Sequence, residues 1–333
     1  MKISFLVTYY NQEQYVRQSL DSILAIDKPC DWEILVGDDG SQDGTIDAVS
    51  SYIQKYPENI FLYRMPREEG KHYDSVRRAS ANRLNLLHHT TGDYFCVLDG
   101  DDWYIDRQFI SDAIEIFESP LQASVVAFCF KHYNGSVAGD SNYIGEGLLN
   151  KREYIRRAYT PAGACVFQMP SQEQMKILDE VGYYDDNDIL LFQLNFGEIY
   201  AINRAIYAYR QTDDSVYNSM SLIEQFLLNA QGFDIDRLYL PDYFRDVLKR
   251  YGSSLWGAYK NRQKMPLALG ERKYQELCES WKSFPDSYSY IILTWNEAGR
   301  AAHFKVYTLL LMYFREAAVS ILEKLKKKLF KHR

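Results

Sequence analysis

Carboxylates gather at two places in this chain, and each cluster ends an apolar run. The first is Asp38-Asp39-Gly40-Ser41-Gln42-Asp43-Gly44-Thr45, behind Trp32-Glu33-Ile34-Leu35-Val36-Gly37. The second is Asp99-Gly100-Asp101-Asp102, about sixty residues later, behind Tyr94-Phe95-Cys96-Val97-Leu98. An ionised carboxylate only accepts hydrogen bonds, so such clusters suit a ligand rich in polar hydrogens, a cation, or both. Asp39 can take the N3–H of uracil or thymine, or the N1–H of guanine. Cytosine and adenine present an acceptor at that position and are repelled. Asp99, Asp101 and Asp102 offer paired hard oxygens of the kind that hold Mg2+ or Mn2+ together with substrate phosphates. A metal there would bridge a diphosphate and neutralise it as a leaving group.

Other chemistries fit these residues less well. Asp39-x-Ser41-x-Asp43-Gly44 begins like an EF-hand loop, but the twelfth position requires a bidentate Glu and holds Ser50. A dehalogenase-type phosphatase also places Asp-x-Asp at a strand end, yet it needs a following Thr where this chain has Asp102-Trp103. No Gly-x-Gly-x-x-Gly follows the first apolar run, which disfavours a nicotinamide enzyme. A non-catalytic scaffold that binds nucleotide sugars or glycans would keep the fold and lose the chemistry. None of the six histidines has metal-ligand spacing, and the five cysteines are scattered without a CxxC pair. The net charge of −7 argues against nucleic-acid binding, which needs a basic face.

The elements that must position these acids follow from the hydropathy pattern. Ile3–Thr8 predicts a strand, and Asn11, with Gln14 three residues on, predicts the N-cap of a helix through Leu24. Trp32–Val36, Ile60–Tyr63, Tyr94–Leu98 and Ser124–Phe130 predict further strands, with helices over Thr45–Lys55 and Asp74–His88. This alternation predicts an α/β fold, a mostly parallel sheet with helices on both faces. Ligands of such sheets bind outside the carboxyl ends of the strands, where both acidic clusters fall. Beyond Tyr133 the pattern loosens: Gly163–Gln168 is a candidate strand, Asp188–Phe196 a helix, and Glu198–Ile202 and Ala205–Tyr209 a pair of short strands.

Val7-Thr8-Tyr9-Tyr10-Asn11, the Asp-Asp-Gly-Ser-x-Asp-Gly-Thr turn and Leu98-Asp99-Gly100-Asp101-Asp102-Trp103 together resemble family 2 glycosyltransferases of the GT-A (Rossmann-like) fold. The similarity covers roughly residues 1–220, with the motifs in family order. It implies a nucleotide site containing Thr8, Tyr10, Asp39, Asp99 and Gly100, in which Asp39 reads the base and Asp99 approaches the ribose or diphosphate. Asp101 or Asp102 would hold the metal; a one-residue register leaves both open. A third family element is matched by Asn187-Asp188-Ile189-Leu190-Leu191-Phe192, then Gly197-Glu198-Ile199-Tyr200, then Tyr209-Arg210. Asp188 thereby takes the place of the general base, with Asp185 and Asp186 close enough to compete. Where many members follow Tyr-Arg with His, this chain has Gln211-Thr212. The diphosphate also needs cations; Arg77, Arg78 and Arg83 precede the second cluster, and Arg78 is put forward. The resemblance implies inverting transfer of a hexose-type sugar from a nucleotide-diphosphate donor, UDP being favoured, to a glycan or lipid-linked acceptor in surface polysaccharide synthesis.

From about Ser221 onward the pattern is almost wholly helical, which predicts a catalytic domain over 1–220 and a helical region over 221–333. Leu310, Phe314, Ala317, Ile321, Leu325 and Leu329 recur at spacings of three and four, and residues 321–333 carry six Lys or Arg against one Glu. A basic amphipathic helix of this kind lies on an anionic membrane, giving peripheral contact through 310–333, or packs its stripe on the main domain. The first apolar stretch is too short for a signal peptide, and no run approaches the length of a membrane span. The expected location is the cytoplasm, at the inner face of the cell membrane if the helix binds there.

Overall fold

The computed structural model describes residues 1–68, 73–134, 137–141, 144–211, 220–282, 284 and 286–330. The chain divides into two compact units: Met1–Tyr154 with Ala158–Asp213, and Ile155–Arg157 with Asp214–Arg333.

The first unit is built on one sheet. Its strands are β1 (Lys2–Tyr9), β2 (Asp31–Asp38), β3 (Ile60–Arg64), β4 (Tyr94–Asp99), β5 (Trp103–Tyr104), β6 (Ala123–Asn134), β7 (Val137–Ser141), β8 (Gly147–Leu148), β9 (Cys165–Gln168) and β10 (Glu198–Gln211). Their order is β3-β2-β1-β4-β9-β6-β10-β5, with β7 on β6 and β8 on β10. β1 to β4, β6 and β10 point one way, and β5, β7, β8 and β9 oppose them. The chain steps from β1 to β2 and β3 on one side, then returns to β4 on the other. The sheet therefore reverses its winding at β1, and such a switch point opens a crevice at the carboxyl ends. Registration sets Tyr9 beside Asp38 and Thr8 beside Asp99, so both acidic clusters flank that crevice.

Alternation along the strands sends side chains to two apolar layers. Ile3, Phe5, Val7, Ile34 and Val36 pack with helices α1 (Glu13–Leu24), α2 (Thr45–Lys55) and α4 (Phe109–Glu118) in one core. On the other face α3 (Ser75–His89) comes so close to β2 that the Asn82 amide donates to the Gly37 carbonyl at 3.0 Å. Three elements differ from the sequence reading. The first helix begins at Glu13, because Asn11 adopts a positive φ of 50° and its side chain accepts the Gln42 N–H at 2.8 Å. Asn11 thus ties the chain to the first acidic turn instead of capping the helix. The two short late strands are one strand, β10, which β-bulges carry across the irregular stretch from Ile202 to Tyr207. The last helix of this unit starts at Asp186 rather than Asp188.

The second unit is helical among the described residues. The helix Leu222–Tyr239 opens on a capping box of Ser221 and Glu224. The wholly buried Asp234 accepts the N–H groups of Tyr288 and Ser289 and the Ser287 hydroxyl, and so anchors the start of the helix Tyr288–Leu293. The final helix, Arg300–Phe330, buries Val306, Leu309 and Leu310 but exposes Phe314 and Ile321. The stripe expected through Leu310, Phe314 and Ile321 is therefore split between two faces. No described helix is long and apolar enough to cross a membrane.

Candidate active site

Two of the three aspartates in the first turn hold the turn itself. Asp38 accepts the N–H groups of Gly40 and Ser41 at 3.0 and 3.2 Å. Asp43 accepts those of Thr45 and Glu13, both at 3.0 Å, and so secures the starts of α2 and α1. These contacts take up the oxygens a calcium loop would need. Asp39 is left at the crevice, 6% exposed, with one carboxylate oxygen on the Arg67 guanidinium and the other on Arg78 Nε at 2.6 Å. The Arg67 guanidinium also lies 3.9 Å from the ring centroid of Tyr10, an exposed aromatic at the end of β1. Arg78, put forward for the diphosphate, instead belongs to this group, its guanidinium shared between Asp39 and the Met65 carbonyl. Ser75–His89 is long enough to serve both clusters, and Arg78 sits on its earlier part.

The arginine at the second cluster is Arg83. It is buried and bridges Asp99, at 2.5 Å, to Asp185. The two carboxylates hold its guanidinium charged, against the opposing effect of burial. Thr8 Oγ1 lies 3.4 Å from the same Asp99 oxygen, and the Gly100 N–H donates to the Thr8 carbonyl at 2.9 Å. A Cβ on Gly100 would stand 2.1 Å from the Tyr9 ring, so a side chain here must displace β1 or the turn. Burial and the charge of Asp99 push the Asp101 carboxyl up to about 6. The Asp101 carbonyl accepts from Arg210 Nε at 2.7 Å, and that guanidinium stacks 4.6 Å from the Trp103 ring. Asp102 is 2% exposed and turned into β10, where it accepts the Tyr207 hydroxyl and the Arg210 N–H.

Geometry therefore separates the two metal candidates. Asp101 shares the turn with Asp99, whereas both oxygens of Asp102 are occupied by β10. Among the described residues no group of three or more ligating side chains gathers. Carboxylates gathered in one turn are what a divalent cation relieves when phosphates supply its remaining ligands. Asp101, beside the Arg83-bound Asp99, fits that role better than Asp102.

The third element differs most from the sequence reading. Asp186 opens its helix at a φ of +30°, a strained backbone for a non-glycine residue. One of its oxygens accepts the Tyr159 hydroxyl at 2.7 Å and the other the Ala162 N–H at 3.0 Å. Burial raises its proton affinity, the two hydrogen bonds lower it, and Asp99 raises it again. Beside it, burial lifts the Asp185 carboxyl to about 6, although Arg83 pulls the other way. Asp188 lies two residues further, which on a helix is about 200° around the axis. Its N–H bonds to the Asp185 carbonyl at 2.8 Å, and its charge acts on Tyr183. The structure thus brings Thr8, Asp99, Gly100, Asp101, Arg83, Asp185 and Asp186 together, and Asp188 follows on the same helix. Gln211 closes β10, and Thr212 lies outside the described residues.

Arg67 and Tyr159 were not singled out by sequence reasoning, Arg83 was named but passed over for Arg78, and Asp186 was named only as a competitor of Asp188. For Arg83 a signal existed: it stands three and four residues before the buried Leu86 and Leu87, on the inward face of its helix.

A mostly parallel sheet with acids at its switch point and helices around it matches the GT-A fold. The sequence model described as glycosyl transferase family 2 matches residues 4–171, and the chain belongs to this family. It is 30% identical to EpsE of Bacillus subtilis over 138 residues, 41% of this chain and 42% of that one. It is 26% identical to the glycosyltransferase GlyA of Streptococcus pneumoniae over 228 residues, 63% of this chain and 30% of that one. The chain thus spans less than half of either relative. Crystal structures of S. aureus TarS 1–349 with UDP-GlcNAc and with UDP share the fold. They have TM-scores of 0.54 and 0.55, 15% and 19% identity, and coverage of 95% of this chain and 92% of theirs.

Proposed function

We propose that the protein transfers a hexose-type sugar from a UDP-linked donor to a hydroxyl of a glycan or lipid-linked acceptor, with inversion, at the inner face of the cell membrane. The observation that carries this reading is the convergence of Asp99, Asp101 and Asp186 at the carboxyl ends of the sheet. Asp39 faces the base edge, and the exposed Tyr10 ring offers it a stacking surface. Solved TarS complexes with UDP and UDP-GlcNAc support the choice of nucleotide.

Mn2+ or Mg2+ on Asp101 would neutralise the diphosphate as it leaves. Asp99, fixed by Arg83 and Thr8, orients the ribose or diphosphate. The base role is assigned to Asp186 in place of Asp188, its oxygens aimed by the Tyr159 hydroxyl and the Ala162 N–H. That carboxylate takes the proton of the acceptor hydroxyl as its oxygen attacks the anomeric carbon.

UDP release from UDP-glucose, UDP-galactose and UDP-GlcNAc, with Mn2+ and candidate glycan acceptors, tests this reading. Asp186→Asn should lower turnover about 10²–10⁴-fold, the usual contribution of a general base, with UDP affinity retained. Asp188→Asn should stay near wild type. The reverse pattern would return the base role to Asp188.

A further inference from the structure

The helix Arg300–Phe330 buries one apolar face and leaves much of a second open to solvent. Val306, Leu309 and Leu310 are buried. On the other side Phe304, Leu311 and Ile321 are 72%, 69% and 59% open to solvent, while Tyr307 and Phe314 keep an exposed edge beside Tyr259, Trp295 and Trp256. Their spacing runs three, four, three, then seven with Ala318 between, and the sequence continues it to Leu325. That is a continuous apolar line, well beyond the scattered exposure normal for a soluble surface. Along the same helix the sequence adds Lys324, Lys326, Lys327 and Lys328 against the single Glu323.

We infer that this outer face is a docking surface for an anionic lipid bilayer, on which the helix lies in the plane of the headgroups. Charge selects this occupant. A second copy paired in parallel would set the lysine run on itself. Paired antiparallel about the middle of the stripe, it would set Lys324 against Lys305, near Arg300. Of the nearby acids, Glu316 already faces Lys249 at 3.2 Å, and Asp286 faces Lys305 at 2.9 Å. An anionic surface complements the lysines and accepts the aromatic and aliphatic line together. The helix is not apolar enough to cross the bilayer, so it rests on it. This surface is independent of the donor site, and its test does not depend on turnover.

Co-sedimentation of the full chain with phosphatidylcholine vesicles, with and without phosphatidylglycerol, tests the inference. Binding should require the anionic lipid and fall as salt rises. Replacing Lys324, Lys326, Lys327 and Lys328 together with Gln should weaken it up to about a thousandfold. Phe304→Gln with Leu311→Gln should weaken it about tenfold, leaving the melting temperature and UDP affinity unchanged. Three results would overturn the inference: equal binding to neutral vesicles, no binding to anionic vesicles at low salt, or unchanged binding by the Phe304/Leu311 variant. So would a concentration-dependent dimer that this variant dissociates without any vesicle binding.

Discussion

Six aspartates stand at the strand ends, and their partners divide the work. Asp38, Asp43 and Asp102 accept backbone or hydroxyl donors and hold turns, whereas arginines hold Asp39 and Asp99 at the crevice, with Asp101 in the same turn as Asp99. Asp39→Ala should weaken uridine binding by about 1–3 kcal/mol, the cost of leaving polar partners unpaired, and cytidine binding by less. Calorimetry with the two nucleosides checks this; equal losses would make Asp39 a brace for Arg67 and Arg78. The site also has a pH signature. Asp101 and Asp185 are both raised to about 6 from an ordinary value of 3.8. A carboxyl whose folded pKa is raised holds its proton more tightly in the native state, so its contribution is complete below about pH 4 and is lost as pH rises through 6. Melting temperature should therefore decline between pH 4 and 6 by more than in Asp185→Asn. A wild type that gains stability across that window would contradict the assigned environment of Asp185.

At the level of elements, the βα alternation and both acidic turns were legible because burial on both faces writes long apolar runs that end where carboxylates begin. The helix Thr45–Lys55 and the strand starting at Tyr94 fall where the pattern puts them. What escaped the sequence depends on contacts between distant residues. Nothing local tells that Asn11 reaches Gln42, that Asp102 turns to Tyr207, or that a positive φ at Asp186 opens its helix two residues early. The bulges that merge Glu198–Gln211 into one strand are invisible for the same reason: Asn203-Arg204 interrupts the apolar alternation while β6 keeps the pairing. The packing of Tyr9, at the end of β1, against Gly100 of the second acidic turn makes a prediction of its own. Gly100→Ala places a methyl against the Tyr9 ring and should destabilise the fold by about 1–3 kcal/mol, the usual cost of overpacking. It should also weaken UDP binding, because the turn carries Asp99 and Asp101. Wild-type denaturant midpoint and wild-type UDP affinity in this variant would show that the turn is more pliable than its packing indicates.

At the scale of the whole molecule, the first unit contains every residue assigned to the donor and to the chemistry, and the second carries the exposed apolar helix face. Family membership extends over residues 4–171 and so covers the motifs through the second acidic turn and the strand Cys165–Gln168. Asp185 and Asp186 lie beyond that match, which is why their assignment rests on geometry. The central claim is that the strand-end acids form a metal-assisted site for a nucleoside diphosphate. Calorimetric titration of UDP into the full chain, with and without Mn2+, tests it most directly. The account predicts Mn2+-dependent binding that weakens at least about tenfold, or about 1.4 kcal/mol, in Asp101→Asn, with uridine affinity unchanged. UDP affinity indifferent to Mn2+ and to Asp101, or lost only in Asp102→Asn, would contradict it.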